Sequence, residues 1–155
     1  MIILQDTREK QPWSFTSYEQ CAAQKVFHLS EGDYTLEEYP FLISIERKKS
    51  VTELANNLGR KYQQFRAEME KLQQYRFRYV LCEFSQEEML IYPTGAKLPR
   101  RLLRKIKMSG KFLQHRVNEL IDQYGIDFVF CGDRFSAQEK AVELLLSAKK
   151  IYDEE

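Results

Sequence analysis

Residues 32–48 read Gly-Asp-Tyr-Thr-Leu-Glu-Glu-Tyr-Pro-Phe-Leu-Ile-Ser-Ile-Glu-Arg-Lys, and this stretch decides the fold that the sequence predicts. Two apolar, strand-like runs, 34–36 and 41–45, flank a turn at 37–40, so the segment is predicted to be a β-hairpin. The hairpin carries one carboxylate near each end, Asp33 and Glu46. Two acids are therefore expected at the same end of a strand pair.

The second strand of this hairpin divides its charged residues between two faces. Glu46 and Lys48 are two residues apart, which places them on one face roughly 7 Å apart, with Arg47 on the other face. If the register brings Asp33 beside Glu46, the two carboxylates could share a divalent cation while Lys48 steadies negative charge on a phosphate or on an attacking hydroxide. The alternative interpretation is a solvated strand edge, where acids and lysines are common.

The composition sets the class of protein. The chain has 155 residues, of which 43% are hydrophobic and 30% charged, so one buried core and a single domain over 1–155 are expected. A net charge of +1 neither favours nor excludes nucleic acid, because a basic face can lie opposite an acidic one. No apolar run approaches roughly 18 residues and no cleavable signal is present, so a soluble, cytoplasmic protein is expected.

The remaining elements alternate between strands and helices. Strands are predicted at 2–4, 25–29, 77–84, 89–92 and 126–131. Helices are predicted at 18–24, at 50–72 with a break at Gly59, at 112–124 with Gly125 as its C-cap, and after Ser136. This order predicts an α/β fold with a mixed central β-sheet flanked by helices.

Two further groups of charged residues have open interpretations. Asp6-Thr7-Arg8-Glu9 follows the first strand, where charged groups are often functional in open α/β sheets, although a simple turn is equally expected. The run 97–107 is strongly basic and contains no acid, so it could neutralise several phosphates; the alternative is a solvated loop. Its six cations are Lys97, Arg100, Arg101, Arg104, Lys105 and Lys107.

Five motifs of this chain resemble, in order and approximate spacing, the nuclease domain of the XPF family of structure-specific DNA endonucleases. They are Asp6-Thr7-Arg8-Glu9, Gly32-Asp33-Tyr34, Glu46-Arg47-Lys48, Gly59-Arg60 with Gln64, and Leu81-Cys82-Glu83-Phe84. The resemblance covers nearly the whole chain and is closest to the stand-alone versions of phages and bacteria, which implies a role in DNA repair or recombination. It implies a restriction-endonuclease-like PD-(D/E)XK fold.

The resemblance also implies roles for individual residues. Asp33 and Glu46 would be the principal Mg²⁺ or Mn²⁺ ligands, Asp6 an additional acid that takes part in the metal site, and Lys48 the catalytic lysine. The residues that support the site or contact the scissile phosphate would be Arg8, Glu9 and Arg47. Arg60 and Gln64, with the neighbouring Lys61, would face the DNA, although an ordinary polar helix face explains them as well.

The chain departs from the family pattern in two places. The family has an aspartate four residues after the motif lysine, where this chain has Thr52 followed by Glu53. A capping box formed by Ser50 and Glu53 could do the structural work of that aspartate. No tandem helix-hairpin-helix domain is found in the sequence, which bears on dimerisation and on the selection of branched DNA.

The expected activity is Mg²⁺- or Mn²⁺-dependent hydrolysis of phosphodiester bonds at flaps, forks or junctions, with a homodimer as a possible assembly. One alternative is a non-catalytic DNA-binding or partner module that keeps the nuclease fold. Such degenerate modules tend to lose the acids and the lysine, whereas Asp33, Glu46 and Lys48 are all present. A Holliday-junction resolvase or an RNA nuclease of the same fold is a third possibility.

Overall fold

The computed structural model describes residues 1–155 as a six-stranded mixed β-sheet with helices on both faces. The strands are β1 (Ile2–Asp6), β2 (Ala23–Phe27), β3 (Tyr34–Leu36), β4 (Ile43–Lys48), β5 (Phe77–Cys82) and β6 (Asp127–Phe130). The helices are α1 (Val51–Leu58), α2 (Tyr62–Lys71), α3 (Gln86–Leu90), α4 (Arg100–Leu103), α5 (Gly110–Tyr124) and α6 (Arg134–Asp153), and a 3₁₀ turn at Leu72–Gln74 follows α2.

The order of strands in the sheet is β2-β1-β3-β4-β5-β6. The strand β3 pairs antiparallel with both β1 and β4, whereas β1 and β2, β4 and β5, and β5 and β6 pair in parallel. The predicted hairpin is therefore the centre of the sheet. The expected α/β fold with a mixed sheet is confirmed.

Alternating side chains of the central strands supply two separate cores. On one face Val80 and Cys82 pack with α1, α2, α3 and α5, and on the other Ile45 and Leu81 pack with Trp13 and α6. Because the register pairs Glu46 with Val80 and Lys48 with Cys82, the motif acid and lysine lie on the α1–α2 face. Arg47, paired with Leu81, lies on the α6 face.

Three predicted elements are wrong. Residues 18–22 form turns instead of a helix, and β2 begins at Ala23 because this segment gains the ladder hydrogen bonds of β1. The predicted strand at 89–92 belongs to α3 and the turn after it, where Ser85 and Glu88 form a complete capping box. The last helix begins at Arg134 under the cap of Asp133, which accepts a hydrogen bond from the Ser136 backbone N–H.

The break predicted at Gly59 separates α1 from α2. Gly59 lies against Met108, and a Cβ at this position would come within 2.5 Å of the Met108 sulfur. The missing side chain thus lets the junction of the two helices approach the segment that precedes α5.

We expect Gly125→Ala to lower the free energy of unfolding by about 1–2 kcal/mol, because Gly125 ends α5 in the left-handed conformation at φ 63°. Gly125→Asn should cost less, since asparagine tolerates this conformation. Urea unfolding followed by circular dichroism measures both variants. Equal losses for alanine and asparagine would contradict this explanation.

No helix in the structure combines the length and the apolar character needed to span a membrane.

Candidate active site

The hairpin register places the two motif carboxylates opposite each other. Tyr34 pairs with Ile45 in the antiparallel ladder, so the preceding Asp33 faces Glu46 across the two strands. The Asp33 N–H donates to the Ile45 carbonyl at 2.8 Å, and the Arg47 N–H donates to Asp33 Oδ2 at 2.7 Å. The backbone of β4 therefore fixes the position of the Asp33 side chain.

Lys48 lies beside Glu46 in a largely buried position. Its Nζ is 3.4 Å from Glu46 Oε1 and 4.9 Å from the ring centroid of Phe65 on α2, and its side chain is only 6% exposed. The ammonium group is thus held at one place next to the acid. This is the arrangement that the spacing of Glu46 and Lys48 predicted.

Asp6 occupies the end of β1 and uses both of its carboxylate oxygens as acceptors. Leu29 N–H donates to Oδ1 at 2.9 Å, and Arg8 Nε donates to Oδ2 at 2.8 Å. These hydrogen bonds outweigh the effect of burial and lower the pKa of Asp6. Asp6 therefore holds the guanidinium of Arg8 in place. The Arg8 side chain is 64% exposed, so this positive charge remains accessible from solvent.

All of these groups except the buried Lys48 border one open cleft of about 210 Å³, whose wall is almost entirely polar. The sequence-predicted residues in this wall are Asp6, Arg8, Asp33 and Glu46. The structure adds Glu31, Glu68 and Lys71, which sequence reasoning missed. Glu68 could have been found, because it lies one helical turn after Gln64 on the same face of α2.

The cleft disfavours the negative charge of its two central carboxylates. Burial, followed by the negative charge of Glu46, raises the pKa of Asp33 well above its ordinary value. Burial also raises the pKa of Glu46, against the opposing effect of Lys48. No group of three or more histidine, cysteine, aspartate or glutamate side chains is arranged to hold a metal ion. Two carboxylates, with water and a phosphate completing the shell, are the kind of ligand set that Mg²⁺ commonly uses in proteins.

Arg47 and Glu9 lie outside this cleft, in a buried network on the opposite face of the sheet. Arg47 Nη1 is 2.9 Å from Glu9 Oε2 and its Nε is 2.9 Å from Glu83 Oε2. The Arg47 side chain is 0% exposed and its guanidinium lies 4.7 Å from the centroid of the Trp13 ring. Burial lowers the pKa of Arg47, but the hydrogen bonds to Glu83 and Glu9 outweigh it and raise the pKa.

Tyr34 and Trp13 complete this buried network. The Tyr34 hydroxyl donates to Glu9 Oε2 at 2.8 Å, and Trp13 Nε1 donates to Glu83 Oε2 at 2.7 Å. The network ties the loop after β1 to the ends of β4 and β5. The Arg47 side chain is covered by this network and cannot contact a phosphate. Its contacts are those of a residue that supports the site from behind the sheet.

Glu53 follows Thr52, the position at which the sequence departs from the pattern of the family that it resembles. Its Oε1 lies 3.7 Å from Lys48 Nζ, and its N–H donates to Ser50 Oγ at 3.1 Å. The capping box is only half formed, because the Glu53 carboxylate accepts from the Lys49 N–H and not from that of Ser50. An acid therefore reaches the motif lysine although Thr52 replaces the usual aspartate.

None of the residues predicted to face or bind the DNA strand lines the carboxylate cleft. Gln64 Nε2 lies 3.5 Å from Glu68 Oε1, which brings the Gln64 side chain to the edge of the cleft. Arg60, Lys105 and Lys107 line a separate groove beside α1. The exposed residues Lys61, Lys97, Arg100, Arg101 and Arg104 line neither the cleft nor this groove.

Comparison with known proteins gives matches among solved structures. XPF from Aeropyrum pernix superposes with a TM-score of 0.65 at 22% identity, over 99% of this chain and 68% of that chain. XPF from Aeropyrum pernix in complex with DNA gives a TM-score of 0.61 at 19% identity, over 99% of this chain and 65% of that chain. No protein-family model matches the sequence, and neither does any curated protein.

The likeness to these structures concerns the fold. The mixed six-stranded sheet with flanking helices is the restriction-endonuclease-like fold of the XPF nuclease domain. The chain spans about two thirds of the length of the chains that it matches.

Proposed function

We propose that the chain is a divalent-cation-dependent DNA endonuclease of the XPF type, as found in phages and bacteria, that cuts flapped, forked or junction DNA. The observation that carries the proposal is the register that places Asp33 opposite Glu46, with Lys48 Nζ 3.4 Å from the Glu46 carboxylate. The XPF fold, one of whose examples is a complex with DNA, supports the choice of substrate. A homodimer stays a prediction from the sequence resemblance.

The residues of the cleft and the neighbouring Lys48 would each take a separate part in hydrolysis. Asp33 and Glu46 would hold Mg²⁺ or Mn²⁺, which supplies polarisation of the phosphate and a lowered pKa for a water molecule. Lys48 would stabilise negative charge that develops at the phosphate, and the accessible guanidinium of Arg8 would orient it. Asp6 would position Arg8, because both of its carboxylate oxygens already accept hydrogen bonds. That Asp6 is also a metal ligand stays a prediction.

A substrate panel tests the proposal. Labelled flap, fork, Holliday-junction, single-stranded and duplex DNA, together with a single-stranded RNA, are incubated with Mg²⁺, Mn²⁺ or EDTA. We expect cutting of branched DNA with either metal and none in EDTA. Binding of DNA without cutting of any substrate would favour the non-catalytic module. Preferential cutting of RNA would favour an RNA nuclease, and preferential cutting of the four-way junction would favour a Holliday-junction resolvase.

We expect neutralisation of Arg100, Arg101, Arg104 and Lys105 to weaken DNA binding regardless of sequence. Each phosphate contact that is lost should reduce the slope of log affinity against log salt concentration by about 0.9 for duplex DNA. Binding titrations from low to moderate salt, with two unrelated duplex sequences, measure this slope. An unchanged slope would show that the basic run does not contact DNA.

A further inference from the structure

The groove beside α1 lies between the first turn of this helix and the basic run at 97–107, and it is separate from the carboxylate cleft. It encloses about 1040 Å³ and adjoins a smaller cavity of about 480 Å³, with which it shares four lining residues. The shared residues are Ser50, Thr52, Tyr92 and Leu98. We call the larger cavity the α1 groove; it and the smaller cavity lie side by side at the start of α1.

The α1 groove lies next to the residues proposed for catalysis. Glu53 lines the groove, and its Oε1 is 3.7 Å from Lys48 Nζ, which in turn is 3.4 Å from Glu46 Oε1. The buried Lys48 side chain thus separates Glu53 at the groove from Glu46 at the carboxylate cleft. A strand that lies in the groove would pass close to a phosphate bound in the cleft.

The lining of the groove combines positive charge with apolar surface. Its cations are Arg60, Lys105 and Lys107, and Glu53 is its single acid. Its apolar side chains are Leu98, Leu102, Ile106 and Met108, and its one aromatic side chain, Tyr92, is only 7% exposed. Leu102 is 41% exposed, so its side chain is available for contact at the surface of the groove.

This mixture of surfaces suits a single strand better than a duplex. Cations attract the phosphates of either form, but a duplex keeps its bases stacked inside and presents only sugars and phosphates to a flanking groove. An unpaired strand exposes base faces, which gain from contact with apolar side chains such as Leu102. The excess of cations over acids likewise favours a polyanion over a neutral peptide.

Building on the proposed endonuclease function, we propose that the α1 groove binds the single-stranded arm of a flap or fork. The groove would hold the unpaired strand beside the carboxylate cleft and so select branched DNA over continuous duplex. The chain would thereby carry its own means of recognising the single-stranded arm.

A charge-matched pair of variants tests the cationic wall. Lys105→Gln/Lys107→Gln changes two groove lysines, whereas Lys111→Gln/Lys150→Gln changes two exposed lysines outside the carboxylate cleft and both cavities beside α1. Anisotropy of a fluorescein-labelled oligothymidylate in EDTA measures binding without cutting. We expect the groove pair to lose about tenfold in affinity and about 1.4 in salt slope, and the control pair to stay within about twofold. Equal losses in the two pairs would overturn the proposal.

A neutral substitution tests the apolar wall. Leu102→Gln should weaken binding of the oligothymidylate roughly fivefold at unchanged salt slope, while binding of a blunt hairpin duplex stays the same. The control is Leu90→Gln, whose leucine is 45% exposed but lies outside the groove. Equal weakening of single-strand and duplex binding by Leu102→Gln, or no weakening of either, would overturn the proposal.

The failure of this proposal is distinguishable from that of the proposed function. The binding assays contain EDTA and do not depend on catalysis. Metal-dependent cutting of branched DNA by groove variants that bind single strands as the wild type does would reject the groove alone. Groove-dependent binding of single strands in a wild-type protein that cuts nothing would reject the nuclease and keep the groove.

Discussion

Glu46→Gln and Asp33→Asn are each expected to abolish DNA cleavage while leaving DNA binding almost intact. Each variant removes one of the two carboxylates that face each other across β3 and β4. Loss of the bound cation would cost several kcal/mol of transition-state stabilisation, which corresponds to a rate decrease on the order of 10³-fold. Binding should be equal or slightly tighter, because a negative charge that repels phosphate has been removed.

Parallel measurements of cleavage rate and of affinity in EDTA separate these two effects. Glu37→Gln is the matched control, since Glu37 is an exposed acid on the same hairpin that pairs with Lys25 away from the cleft. It should cut at the wild-type rate. Full activity in either Glu46→Gln or Asp33→Asn would reject the assignment of the site.

Arg47→Met is expected to lower the free energy of unfolding by about 3–5 kcal/mol, because it leaves two buried carboxylates without their cation. Glu9 and Glu83 side chains are 8% and 7% exposed, and each lies 2.9 Å from the Arg47 guanidinium. Methionine fills much of the volume of arginine. The decrease in the free energy of unfolding therefore measures the missing positive charge more than a loss of packing. Urea unfolding monitored by Trp13 fluorescence and by circular dichroism measures it.

Two further variants separate this explanation from a loss of packing. Neutralising the partners as well, in Arg47→Met/Glu9→Gln/Glu83→Gln, should recover a large part of the stability. Arg76→Met breaks an ion pair with Glu155 whose two side chains are about half exposed, and it should change stability far less. An Arg47→Met protein as stable as the wild type would show that the buried network contributes nothing to the fold.

The centre of the sheet could be predicted because its signals are local. Strand alternation and the turn within residues 32–48 specify a hairpin, and the two-residue spacing of Glu46 and Lys48 specifies their common face. The apolar run at 89–92 was wrongly predicted to be a strand, because so short a pattern fits a strand as well as a helix. The capping box at Ser85 starts a helix there instead. The turn region at 18–22 became clear only from the pairing of β2 with β1.

The parts of the site that depend on long-range packing could not be predicted. Glu68 lines the cleft from α2, a helix that the break at Gly59 separates from α1. In the sequence, Arg47 is simply a basic residue next to Glu46. Its burial depends on Trp13, which lies in a loop 34 residues earlier in the chain. Side-chain spacing within one strand carries no information about such partners.

Titration of Mn²⁺ into the protein without DNA, followed by calorimetry, tests the carboxylate pair most directly, because it requires no knowledge of the substrate. The wild type should bind Mn²⁺, and Asp33→Asn/Glu46→Gln should bind it at least about tenfold more weakly, since cation affinity follows the number of charged ligands. Glu37→Gln should bind it as the wild type does. Equal Mn²⁺ affinity in the wild type and the double variant would contradict the proposal that Asp33 and Glu46 form the metal site.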